Sequence, residues 1–107
     1  MLIANKKFTL GDVVQYTVDY SEHPDSDGVN VIPAKAPIRD GDSITSATVT
    51  ADKTDVTVAS VVVYEGHKVV FKISGGSLNE VFTLTIVVHT DNTETFVDTL
   101  TFTVVAP

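Results

Sequence analysis

The stretch Val81-Phe82-Thr83-Leu84-Thr85-Ile86-Val87-Val88-His89, answered across Thr90-Asp91-Asn92 by Thr95-Phe96-Val97-Asp98-Thr99-Leu100-Thr101-Phe102-Thr103-Val104, decides the fold. In its first run Phe82, Leu84, Ile86 and Val88 occupy alternate positions. In its second run Phe96, Leu100, Phe102 and Val104 do the same. A period of two with threonine between the apolar residues is the pattern of a strand with one buried face, so the pair reads as a long antiparallel hairpin. Asp98 alone breaks the pattern, because it falls on the apolar face beside Phe96 and Leu100. An unpaired carboxylate there is costly. Two readings follow: a bulge or sheet margin that carries Asp98 to water, or a buried pairing with Lys68, Lys72, Arg39 or a partner subunit.

The rest of the chain supplies partners for this hairpin. Val14, Tyr16, Val18 and Tyr20 share one face of a strand that opens at Val13, and Gln15, Thr17 and Asp19 share the other. Ala47, Val49 and Ala51 alternate with Ser46, Thr48 and Thr50. Val61 to Tyr64, the turn Glu65-Gly66, and His67 to Ser74 read as a tight hairpin, with Gly66 free to take a positive φ. Strands opening at Val13, Ser43, Asp55, Val61, Lys68, Val81 and Thr95, with turn signals between them, predict an all-β, immunoglobulin-like antiparallel β-sandwich of about seven strands.

Composition agrees. The 107 residues fit one domain, and 19 valines with 15 threonines favour pleated strands, since both side chains are stiff at χ1. No stretch carries a helical period. The absence of cysteine removes disulfides, thiolate metal sites and cysteine nucleophiles. A net charge of −7, with scattered lysines and arginine, argues against nucleic acid as a partner. The N-terminal apolar run Met1-Leu2-Ile3-Ala4 is too short for a signal peptide, and no run approaches the roughly 18 apolar residues of a membrane span. The expectation is synthesis in a cytoplasm without export and without a membrane partner.

Two segments escape the alternation. Residues 1–10 read as an extended arm or a short edge strand. Residues 21–41 hold Pro24, Pro33 and Pro37 and read as a long inserted loop, of a length that usually has a function. Leu2, Ile3 and Phe8 in the arm, and Val29, Val31 and Ile32 in the loop, are the candidate partner-binding residues, because apolar side chains outside regular strands mark docking sites. The loop can dock on the sandwich itself or on a neighbouring subunit.

Catalytic and metal chemistry find little support. Asp25-Ser26-Asp27-Gly28 begins like a calcium loop but lacks the later ligands, and an Asx-type turn explains it, as it explains Asp40-Gly41-Asp42. His23, His67 and His89 are too widely spaced to form a ligand pair by sequence. There is no Gly-x-Ser-x-Gly nucleophile motif, and Gly75-Gly76 leads into no phosphate-binding helix. No catalytic residue, no metal site and no cofactor is expected.

The order Tyr16-Thr17-Val18-Asp19-Tyr20, Asp40-Gly41-Asp42-Ser43-Ile44, Ala47-Thr48-Val49, Lys72-Ile73-Ser74-Gly75-Gly76 and the final hairpin resembles small tailed-bacteriophage fiber-tail adaptor proteins. The similarity runs from Lys7 to Val105. The segment between Tyr20 and Gly41 is longer than that pattern, and Ser77-Leu78-Asn79-Glu80 stands where it has a glycine-containing loop. The resemblance implies a non-enzymatic structural protein of a virion, an adaptor between tail and fiber. Its partners would be other virion proteins in a symmetric assembly. Similar folds serve as capsid decoration proteins, and an immunoglobulin-like module for glycans or cell surfaces is the alternative from another class.

Overall fold

In the computed structural model, which describes residues 1–21 and 30–107, eight strands form two four-stranded sheets packed face to face. The strands are β1 (Leu2–Thr9), β2 (Val13–Asp19), β3 (Val31–Pro33), β4 (Ile44–Ala51), β5 (Val56–Tyr64), β6 (Lys68–Gly75), β7 (Val81–Thr90) and β8 (Thr95–Val105). One sheet has the order β1-β8-β7-β4 and the other β3-β2-β6-β5. The hairpin of β7 and β8 lies at the centre of the first sheet. Its ladder runs without a register break from Val81 opposite Thr103 to His89 opposite Thr95.

The inward rows of the two sheets make the core. Phe82, Leu84, Ile86 and Val88 from β7 and Leu100, Phe102 and Val104 from β8 meet Tyr16, Val18, Val69, Phe71 and Ile73 of the second sheet, all of them buried. Phe102 is the aromatic centre. It stacks on Phe82 at 5.1 Å and meets the edges of Tyr16 at 5.2 Å and Phe8 at 6.5 Å. Offset and edge-on contacts at such separations suit the ring quadrupoles and add to area burial.

The sandwich predicted from alternation is present, with differences that have local causes. Residues 2–9 form a full edge strand, paired parallel to β8 from Leu2 beside Thr99 to Thr9 beside Val105. Val31–Pro33 forms a three-residue strand parallel to β2. Two of the six strand pairings are therefore parallel and four antiparallel. The strands expected at Asp55 and Val61 are one strand, β5. Ala59 opposes Lys72 and Val62 opposes Val70, so Ser60 and Val61 together face Phe71 in a β-bulge, with Ser60 at φ 56°. The extra residue shifts the alternation by one and makes one strand read as two.

The Glu65-Gly66 turn takes positive φ at both residues, 55° and 72°, and the His67 N–H donates to the Tyr64 carbonyl at 3.3 Å. That geometry matches the twist of the flanking strands. At the other end, Gly75 closes β6 at φ 90°, and a Cβ there would run into the Asp55 carbonyl. Asn79, at φ 65°, takes the left-handed position in the Ser77–Glu80 loop, a conformation that asparagine tolerates. Gly75→Ala is expected to cost on the order of 2–3 kcal/mol, through left-handed strain and the carbonyl clash together. A urea melt of the variant within about 0.5 kcal/mol of the parent would show that the β6 end relaxes freely.

Candidate interaction surfaces and buried polar sites

β1, β4, β7 and β8 turn one row of side chains each to the outside of the first sheet. β8 contributes Thr95, Val97, Thr99, Thr101 and Thr103, and β7 contributes Val81, Thr83, Thr85, Val87 and His89. From β4 come Ser46, Thr48 and Thr50, opposite His89, Val87 and Thr85. β1 adds Leu2, Asn5, Lys7 and Thr9 through its register with Thr99, Thr101, Thr103 and Val105. The outward strand rows therefore carry nine of the 15 threonines and none of the 14 acidic side chains, and the Asp52 carboxylate accepts from the Thr83 N–H just past the end of β4. Val97 and Val81 are about half exposed on it, at 52% and 51%.

The outer face of the second sheet is different. Gln15, Thr17, Val31, Val62, Tyr64, Lys68 and Val70 line an open groove of about 460 Å³. Strand register explains its apolar floor: Val31 pairs with Thr17, Thr17 with Val70, and Val70 with Val62, so four strands place one row side by side. Tyr64 is exposed at its margin, with Lys68 beside it holding Glu65 at 3.3 Å.

Two polar sites lie beneath these faces. Asp98 sits in the regular ladder opposite Ile86 and is buried, so neither a bulge nor a sheet margin takes it to water. Its partner is Tyr20, whose hydroxyl donates to Asp98 Oδ2 at 2.7 Å across the sandwich. Arg39 is instead paired with Glu94, and Lys68 reaches Glu65. The Met1 ammonium lies 3.9 Å from Asp98 Oδ1 and donates to the Val97 carbonyl at 2.8 Å. Burial, followed by the hydrogen bond and charge of Asp98, pushes the Tyr20 hydroxyl far above the ordinary phenol range.

The second site is Asp19. Its place in the outward row predicts exposure, yet it is buried, with Oδ1 accepting from the Ser21 N–H at 2.9 Å and lying 3.2 Å from His67 Nδ1. Pro33 of β3 pairs alongside it, and the Ala34 N–H donates to its carbonyl. Sequence alternation misses this burial because the cover comes from a loop. Asp42 tethers the loop end of the molecule. Desolvation opposes its ionisation, but hydrogen bonds from Thr90 and from the Ser43 and Asn92 N–H groups prevail and hold it below the ordinary carboxylate range.

The candidate partner-binding residues separate into groups. Phe8 and Ile32 are buried in the core of this same chain, because β1 and β3 are strands of the sandwich, and their side chains are not presented to a partner. Leu2 is exposed, Ile3 is half-buried against the core, and Val31 lines the groove. Val29 lies outside the described residues, as do His23 and the Asp25-Asp27 turn. His89 Nδ1 lies 3.1 Å from Thr95 Oγ1 on the threonine-rich face. Among the described residues no group of three or more histidine, cysteine or acidic side chains is placed to hold a metal ion. No helix among them is long and apolar enough to cross a membrane.

The described residues thus present broad strand faces and an apolar groove, with Tyr20 and Asp98 joined across the sandwich. The family model of the podophage GP4 fiber-tail adaptor protein gp77 matches residues 9–104, and the chain belongs to that family. Membership gives it a structural, tail-associated role in a bacteriophage. No curated protein matches. Among solved structures the chain is similar to a 2,6-sialyltransferase of Vibrionaceae Photobacterium sp. JT-ISH-224, crystallised with CMP and lactose, at 11% identity and a TM-score of 0.51. That alignment covers 100% of this chain and 18% of the transferase, so the chain spans less than a fifth of its length and the likeness is one of fold.

Proposed function

We propose that this protein is a non-enzymatic adaptor of the virion, joining tail and fiber by contacts between folded surfaces. The observation that carries the reading is the family match over residues 9–104. The surfaces support it, since strand faces and an apolar groove suffice for holding neighbouring chains. Leu2 and Ile3 on β1 and Val31 in the groove are the side chains assigned to partner contacts, and the neighbours would be tail and fiber proteins in a symmetric assembly. The glycan-recognition alternative loses ground in the same structure. Tyr16 and Tyr20 are buried, which leaves Tyr64 as the exposed tyrosine of a chain without tryptophan, and a stacking platform needs more.

The test is protein mass spectrometry of purified virions, with the chain quantified against known tail components. A fixed ratio to tail proteins, retained after washing and lost in particles that lack fibers or tails, is expected. A chain present in lysate but absent from purified virions would overturn the proposal.

A further inference from the structure

We infer that the threonine-rich outer face of the β1-β8-β7-β4 sheet binds a second copy of this chain, sheet face against sheet face. Charge is the first argument. Ordinary soluble surfaces are about 25–35% charged, whereas Lys7, at the β1 edge, is the only Lys, Arg, Asp or Glu side chain in the outward rows of these four strands. The same chain carries −7 overall. Two copies that approach by their acidic loop ends repel each other. On this face no carboxylate opposes another, and depletion of charge is what distinguishes the centre of a protein interface.

Size is the second argument. Four strands about 4.8 Å apart and up to 11 residues long give a face on the order of 500–600 Å² in projection. With side-chain relief this approaches the roughly 800 Å² per partner of a stable interface. Chemistry is the third. Each threonine offers a methyl group, one hydroxyl donor and acceptor lone pairs, so a surface rich in threonine can satisfy an identical surface placed across a twofold axis. Half-exposed Val97 and Val81 supply the apolar contacts within it. The inference does not rest on the tail and fiber reading, because it concerns only how the chain meets itself.

Sedimentation of the purified full chain over a concentration series tests it. The parent is expected at twice the 11.4 kDa chain mass. Val97→Glu and Thr103→Glu, both at exposed outward positions, should weaken self-association about 100-fold by placing like charges on the paired faces, with unchanged thermal unfolding of the monomer. Val62→Glu, on the groove side, should leave the dimer intact. A parent that stays monomeric up to about 1 mM overturns the inference. So does self-association that Val62→Glu abolishes and Val97→Glu spares, or a monomer whose Val97 face is instead required to bind a different virion protein.

Discussion

Phe102→Ala is expected to lower the free energy of unfolding by about 3–5 kcal/mol. The side chain is fully buried in the β8 ladder and touches rings from three directions: Phe82 on its own hairpin, Phe8 on β1 and Tyr16 on the opposite sheet. Truncation removes the transfer free energy of the ring and leaves a cavity bounded by strands of both sheets, which cannot collapse without breaking ladders. For a domain whose whole stability is about 5–15 kcal/mol, this is a large fraction. Thr101→Ala, one residue away on the outer face, should cost within about 1 kcal/mol, because it removes no core contact. Urea melts of both variants at unchanged m-value check the contrast. A Phe102→Ala loss below about 1 kcal/mol would mean that the aromatic cluster is not the centre of the core.

The second large effect belongs to Tyr20 and Asp98. Asp98→Ala is expected to cost about 2–4 kcal/mol, since it strands a buried hydroxyl, and Tyr20→Phe about 1.5–3 kcal/mol, since it strands a buried carboxylate. The two losses should not add. A double-mutant cycle is expected to show coupling of about 1.5–3 kcal/mol, and additivity within about 0.5 kcal/mol would show that the pair contributes nothing jointly. The pH dependence has a definite sign. Tyr20 is held protonated in the fold above its unfolded value near 10, by burial first and by Asp98 second. That contribution is complete below about pH 10 and is lost as pH climbs toward the folded value, by about 1.4 kcal/mol per pH unit. Tyr16, raised by burial and then by Asp12, acts in the same sense. In Tyr20→Phe the alkaline loss of stability between about pH 10 and 11, measured by urea melts, should therefore shrink by about 1 kcal/mol, the slope approaching about 1.4 kcal/mol per pH unit only above that window.

The sequence exposes whatever local alternation determines and hides whatever distant packing determines. The β7–β8 hairpin and its inward residues are legible because period-two patterning survives over both strands. β1 is only half legible, since Lys6-Lys7 interrupts its apolar residues and nothing local announces a parallel partner nearly a hundred residues on. β5 reads as two strands because Ser60 inserts a residue and reverses the alternation after it. Asp98 stands out as an anomaly, but its partner does not. Tyr20 directly follows β2 of the other sheet and lies 78 residues away, so only the packing of one sheet on the other brings the two together. The threonines that dominate this charge-poor face are each visible as the polar half of a strand. Their union is a product of strand order, which places β4, β7, β8 and β1 side by side.

Several residues that carry the family resemblance coincide with steep local demands. Asp19 and Tyr20 anchor the two buried polar sites, and Gly75 occupies a left-handed position with no room for a Cβ. Asp42 fastens the loop before β4 to the hairpin tip by accepting from the Asn92 N–H. These residues secure the scaffold. The outward faces, where partner contacts would form, carry few of them.

The parallel pairing of β1 with β8 has a mechanical consequence. The Leu2 end of β1 and the Val105 end of β8 lie at opposite ends of one ladder. Tension applied between those two points pulls the strands past each other along their length, so the rungs are loaded together in shear, whereas an antiparallel pair pulled from adjacent ends opens one rung at a time. The β1–β8 pair therefore resists a pull along that line through all of its rungs at once.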